Sequence, residues 1–149
     1  MELKLREFKI SDLKEILEIE RGSFPKRNAF SKEYFQKLYQ KYPQGFVVAE
    51  IEKEIVGYGI GQISGDFGEI ISIAVKSNWR KKGIGTKLAN FLINDFQKKG
   101  IKSVFLHVRE KNREAISFYQ KLGFKILKTI KNYYSNGDDA FLMEKVLGN

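Results

Sequence analysis

Two strand-like runs, at about Glu69–Lys76 and Ile101–Val108, are separated by a helical stretch at about Gly83–Lys99. Within that stretch Ile84, Leu88, Leu92 and Phe96 recur every four residues, and Gly100 supplies the C-terminal stop. A crossover of this length cannot be a hairpin, so it must join two parallel strands. The strands before it, at about Phe46–Ile51, Ile55–Ser64 and Glu69–Lys76, are joined by short charged or Gly-containing turns, which predict an antiparallel meander. The chain is therefore held to a mixed sheet with one parallel pair.

The flanking pattern fits that sheet. Leu3, Leu5 and Phe8 suggest a first strand. Ser11 is positioned to cap a helix carrying Leu13, Ile16, Leu17 and Glu20, and Ser31 to cap one carrying Phe35, Leu38 and Tyr39. Asn112 can cap a fourth helix that ends at Leu122-Gly123. Strands at about Phe124–Lys131 and Ala140–Val146 follow, with Asn136-Gly137 as a tight-turn signal between them. The fold class is α+β: a mostly antiparallel seven-stranded sheet with four helices. The 149 residues suffice for one core, and no repeat or linker interrupts them, so a single domain over residues 1–149 is expected.

Composition removes several functions. The absence of cysteine excludes disulfide scaffolds, Cys-ligated metal and an acyl-cysteine intermediate, and a single histidine excludes a His-rich metal site. No metal is expected. No apolar run approaches the ~20 residues that span a bilayer, and the N-terminal segment lacks a signal-peptide core. A soluble, cytoplasmic protein without membrane attachment is expected. The formal net charge of +9 suits nucleic acid, a polyanionic cofactor or a ribosome-like surface, and equally a Lys-rich solvated exterior.

The most informative stretch is Asn78-Trp79-Arg80-Lys81-Lys82-Gly83-Ile84-Gly85-Thr86-Lys87, between a strand and the long helix. Two glycines let backbone approach a ligand, the first N–H groups of the helix are free, and the helix dipole and three cations add positive charge. That combination makes a pyrophosphate cradle; the alternative is a basic loop with a flexible helix start. Neither the Walker A spacing nor Gly-x-Gly-x-x-Gly is present. Gly57-Tyr58-Gly59-Ile60-Gly61 has no helix after it and reads as a strand closely approached by another backbone.

Arg80-x-x-Gly83-x-Gly85 after Ile71–Val75 resembles motif A of the GNAT N-acetyltransferases. Asn112-x-x-Ala115-x-x-Phe118-Tyr119-x-x-Leu122-Gly123-Phe124 resembles their motif B. Leu106-His107-Val108-Arg109, Phe24-Pro25 and Lys131-Asn132-Tyr133-Tyr134 further resemble the protein N-terminal acetyltransferases of the RimI and NatE types. The resemblance implies the family's fold, with a splayed parallel pair, and acetyl-CoA as cosubstrate. Its pyrophosphate would lie on the backbone of Lys81, Lys82, Gly83, Ile84, Gly85 and Thr86, with Arg80 contributing side-chain or loop-positioning contacts. The pantetheine arm would pair with Ile73, Ala74 and Val75, and an N–H near Ile73 would polarise the thioester carbonyl. Asn112 matches the family's CoA-contacting residue and is also a plain helix cap.

The reaction implied is direct attack by a protein or peptide α-amino group in a ternary complex, ribosomal and nascent chains among the candidate substrates. An α-amine titrates near 8 and needs only a mild base, for which histidine is suited. His107 matches the catalytic histidine of the NatE type; read blind, it is as well a structural histidine. Glu69 stands where that type has a tyrosine, and could orient His107, share its duty or bind water. Tyr119 fills the core or, as in the family, protonates the leaving thiolate. Phe24 and Pro25 would wall the pocket for the first substrate residue, and Tyr133 and Tyr134 would bind peptide backbone. A small-amine acetyltransferase is the alternative within the fold. A nucleic-acid-binding module is the alternative outside it, although the CoA phosphates already account for the basic loop. Nucleic acid is expected only through a ribosome.

Overall fold

A computed structural model describes residues 2–23 and 31–148. Among the described residues the elements are β1 (Leu3–Glu7), α1 (Leu13–Ser23), α2 (Lys32–Lys41), β2 (Phe46–Ile51), β3 (Glu54–Ser64), β4 (Phe67–Val75), α3 (Ile84–Lys98), β5 (Ser103–Arg109), α4 (Arg113–Lys121), β6 (Lys125–Ile130) and β7 (Ala140–Val146). The strands form one sheet in the order β1-β2-β3-β4-β5-β7-β6. As expected from the crossover, β4 and β5 are parallel. Their pairing takes in Phe67↔Ser103, Gly68↔Val104 and Glu69↔Phe105, and β4 then continues to Val75 and β5 to Arg109. The β1–β2, β2–β3, β5–β7 and β6–β7 pairs are antiparallel. No described helix is long and apolar enough to cross a membrane.

By contacts the chain divides into two compact units, Met1–Gln62 with Ile70–Asp95, and Ile63–Glu69 with Phe96–Asn149. The first packs the apolar stripes of α1 and α2 (Ile16, Leu17, Phe35, Leu38) onto Phe46, Val48, Tyr58 and Ile60 of the sheet. Glu20 is 1% exposed, and the Tyr58 hydroxyl donates to its Oε1, which offsets part of the cost of burying the carboxyl group. The Tyr58 hydroxyl also lies 3.2 Å from the Ser72 hydroxyl. A Cβ at Gly57 or Gly59 would touch Leu88 or Leu92 of α3 at 3.3 Å, so these two glycines let the helix lie close on β3. The close backbone approach expected at the glycine-rich run occurs at Gly61, where a Cβ on Gly45 would overlap the carbonyl. The turn before α1 differs from expectation: Asp12 Oδ2, not Ser11, closes it by accepting from the Lys9 N–H at 2.8 Å. A carboxylate one residue further on can also reach the Arg6 guanidinium at 2.9 Å.

In the second unit, Gly68 leaves room for the Phe96 ring, which a Cβ would meet at 2.8 Å. The α3 helix ends in the left-handed Gly100 (φ +76°), with the Ile101 N–H reaching back to Phe96 O at 3.0 Å. Asn112 caps α4 through Oδ1, which accepts from the Ala115 N–H at 3.1 Å.

Candidate active site

From Val104 onward burial along β5 alternates. Val104, Leu106 and Val108 are buried, whereas Phe105, His107 and Arg109 are half-buried on the opposite face. Glu69 is registered opposite Phe105 and so shares that open face. His107 Nδ1 lies 3.5 Å from Glu69 Oε2, with the two side chains 25% and 34% exposed. That distance is at the outer edge of hydrogen-bond reach, and such contacts often tighten when substrate is bound. A carboxylate on the Nδ1 side favours the tautomer with its proton there, leaving Nε2 to accept one.

Tyr133 covers one face of the same imidazole, with centroids 4.6 Å apart and ring planes 7° from parallel. Its phenol is pushed up from the ordinary value by burial and then by the Glu69 charge. Tyr133 sits in the loop 131–139, which is braced by its own polar groups. Asn132 adopts φ +54° and donates its N–H to Asp139 Oδ1 at 2.9 Å. The predicted turn at Asn136-Gly137 forms the tip, with the Gly137 N–H donating to Tyr134 O at 2.8 Å.

Tyr119 lies on α4 with its ring edge-on to Phe118 at 5.0 Å and to Phe124 at 5.7 Å. Burial holds its phenol far above the ordinary tyrosine value of 10.0, so it keeps its proton at any physiological pH. The Tyr119 side chain packs between these rings but is half-buried rather than enclosed in the core, which suits the acid reading better than plain core filling. The shift has a thermodynamic consequence. The folded-state value is raised, so the stability it represents is complete below pH 10.0 and drains away as pH climbs above it, because the unfolded chain then ionises first. Urea midpoints between about pH 9 and about pH 11 should fall, with a limiting slope of about 1.4 kcal/mol per pH unit from this group. Tyr119→Phe should flatten that fall; an unchanged slope would mean the phenol is not desolvated.

In the first unit, Lys81 (φ +63°) and Gly83 (φ +81°) turn the chain into α3 through the left-handed region. The first intrahelical bond runs from the Lys87 N–H to Gly83 O at 3.1 Å, which leaves the preceding N–H groups of the helix start outside the ladder. There is no acidic residue in the first turn. A Cβ at Gly83 would meet nothing within 4 Å, so the backbone there faces open space. Helix-start donors outside the ladder, flanking lysines and clearance together fit a diphosphate. The Arg80 side chain turns back on the protein, its Nε donating to Val75 O at 3.0 Å and its Nη2 to the Ser23 hydroxyl at 3.2 Å. These contacts tie the loop to β4 and to the end of α1.

His107, Glu69, Tyr133 and Tyr134 are thus brought together in one unit. Ile73 and Val75 alternate with the buried Ala74 on β4. Phe24 and Pro25 lie outside the described residues. Sequence reasoning gave no role to Arg109, whose guanidinium carbon lies 3.8 Å from the Tyr134 ring centroid, or to Asp138, its ion-pair partner at 2.9 Å. The signal was present in the two-residue spacing of His107 and Arg109 on one strand.

The sequence model of the acetyltransferase (GNAT) family matches residues 13–124. The chain is 33% identical over 155 residues to the N-alpha-acetyltransferase of Sulfurisphaera tokodaii, covering 95% of this chain and 92% of that protein. It is 35% identical over 147 residues to the N-alpha-acetyltransferase of Sulfolobus acidocaldarius, covering 90% and 86%. The crystal structure of Ard1 from Thermoplasma volcanium superposes with a TM-score of 0.93 at 28% identity, over 99% of each chain. Matched along most of its length in sequence and nearly all of it in structure, the chain belongs to the GNAT acetyltransferase family.

Proposed function

We propose that this protein acetylates the α-amino groups of protein N-termini, using acetyl-CoA. The observation that supports it most directly is the half-buried His107, with Glu69 on its Nδ1 side and Tyr133 against one face. The relatives' names, N-alpha-acetyltransferase, point the same way. Near pH 7 roughly a tenth of α-amines are already neutral, against fewer than one lysine in a thousand. An imidazole can take the remaining proton from the former but is a poor match for the latter.

In this reading Nε2 of His107 receives the amine proton, and Glu69 orients the ring and stabilises the imidazolium. Tyr119 Oη retains its proton and serves as the acid for the departing group. The N–H groups from Lys81 to Thr86 hold the diphosphate, with Arg80 fixing the loop and Asn112 capping α4 beside its own contact to the cosubstrate. Ile73, Ala74 and Val75 offer strand backbone to the pantetheine arm. When bound, acetyl-CoA supplies an activated acetyl thioester. Tyr133 and Tyr134 present ring and hydroxyl to the peptide, and Phe24 and Pro25 line the pocket for its first residue. Newly made chains, at or away from the ribosome, are the substrates, and the +9 charge suits the former setting.

Peptides with a free α-amine should be acetylated at least about a hundred-fold faster than the same peptides blocked at that amine but carrying an internal lysine. Mass spectrometry locating the acetyl group mainly on lysine would overturn the reading.

A further inference from the structure

The stack on His107 is part of a longer run of contacts. Two residues along the same face of β5, the Arg109 guanidinium lies over the Tyr134 ring, 3.8 Å from its centroid. Tyr134 meets Tyr133 edge-on, with centroids 4.9 Å apart and planes at 85°. Arg109 Nη1 also donates to Asp138 Oδ2 at 2.9 Å and to Asn136 Oδ1 at 3.1 Å. Asp138 is fixed in turn from within the loop, where its carboxylate accepts from Asn136 Nδ2 at 3.1 Å and its N–H donates to Asn136 Oδ1 at 3.1 Å. The Arg109 and Asp138 side chains are each 20% exposed, so the pair is partly shielded from water, whereas Lys111, the other cation on Asp138, is 77% exposed.

Residues two apart on a strand stand about 6.6 Å apart on one face. The loop is therefore keyed to β5 at two points, with Tyr134 on Arg109 and Tyr133 on His107. We propose that Arg109 and Asp138 are positioning residues, a clamp that sets the loop so that Tyr133 covers one face of His107 and thereby shapes the site for the incoming peptide. The kinetic part of this proposal rests on the peptide-acetylation reading; the structural part does not. The planar guanidinium is essential to it, because it stacks on a ring and binds a carboxylate at the same time.

The chain has one histidine, so the imidazole ring protons give unique NMR signals. In the full chain these should be displaced upfield by the Tyr133 ring, and Tyr133→Leu should remove the displacement. Arg109→Gln and Asp138→Asn should each move the signals most of the way to the Tyr133→Leu position. Both should also raise the peptide KM about tenfold, with kcat changed less than about threefold and the acetyl-CoA KM unchanged. Arg109→Lys, which keeps the charge without the plane, should fall between. Imidazole signals that stay at the wild-type position in Arg109→Gln and Asp138→Asn would overturn the clamp, as would a loss confined to Tm. If Arg109→Gln fails to fold, the isosteric Asp138→Asn carries the same readouts. If the wild type acetylates no peptide, the functional reading fails while the NMR result still decides the clamp.

Discussion

His107→Ala is expected to lower kcat by roughly ten- to a thousand-fold, less than the fullest effects of removing a general base because Glu69 can share the work. The acetyl-CoA KM should hardly move, since His107 lies on β5 and the cradle is built from the loop before α3. Removing Glu69 as well should be non-additive, as expected of groups 3.5 Å apart acting on one proton. Raising the pH should partly rescue His107→Ala, because the substrate amine then arrives neutral more often. Full kcat in His107→Ala between about pH 6 and about pH 9, with loss in Glu69→Gln, would transfer the base's role to Glu69.

Gly83→Asp is expected to abolish stabilisation by acetyl-CoA. For the wild type, ligand at about a thousand times its Kd adds about 4 kcal/mol, read as a rise in Tm. Aspartate places a negative charge at a helix start that now has none, and its side chain enters the open space in front of the backbone. Because Gly83 has φ +81°, any side chain there also strains the fold by about 1–2 kcal/mol. Gly83→Ala isolates that strain: it should lower the ligand-free Tm yet keep most of the ligand-induced rise. A full rise in Gly83→Asp would show that the diphosphate binds elsewhere.

The elements that were legible in the sequence are those with local causes. The period of four in α3, the stops at Gly100 and Gly123, and the caps at Ser31 and Asn112 each act within a turn of helix, and all formed as read. The parallel pair was legible because only a crossover can follow such a helix. Long-range side-chain choices were not. Whether Arg80 faces a ligand or turns back to Val75 depends on where α1 ends at Ser23. Whether Tyr133 is an exposed loop aromatic or lies on His107 depends on Arg109 and Asp138, 24 and five residues away in sequence order along the chain. Ser11 reads as a cap because serine is a good capping type, whereas the Arg6 partner that draws the Asp12 carboxylate into the turn lies on another element.

The alternation from Val104 to Arg109 in β5 makes the chemical identity of the open face a matter of alignment. A slip of one residue against β7 would turn Leu106 and Val108 outward and bury His107 and Arg109 together. Seven consecutive partners, from Ser103↔Val146 to Arg109↔Ala140, oppose such a slip, with β4 on the other flank. By contrast β6, at the border of the sheet, already contains an irregularity between Ile126 and Lys128. Insertions and deletions should accordingly be absorbed at that border. The same change inside β5 would turn the imidazole and the guanidinium away from Glu69 and Asp138 in a single event, even in a chain that still folds.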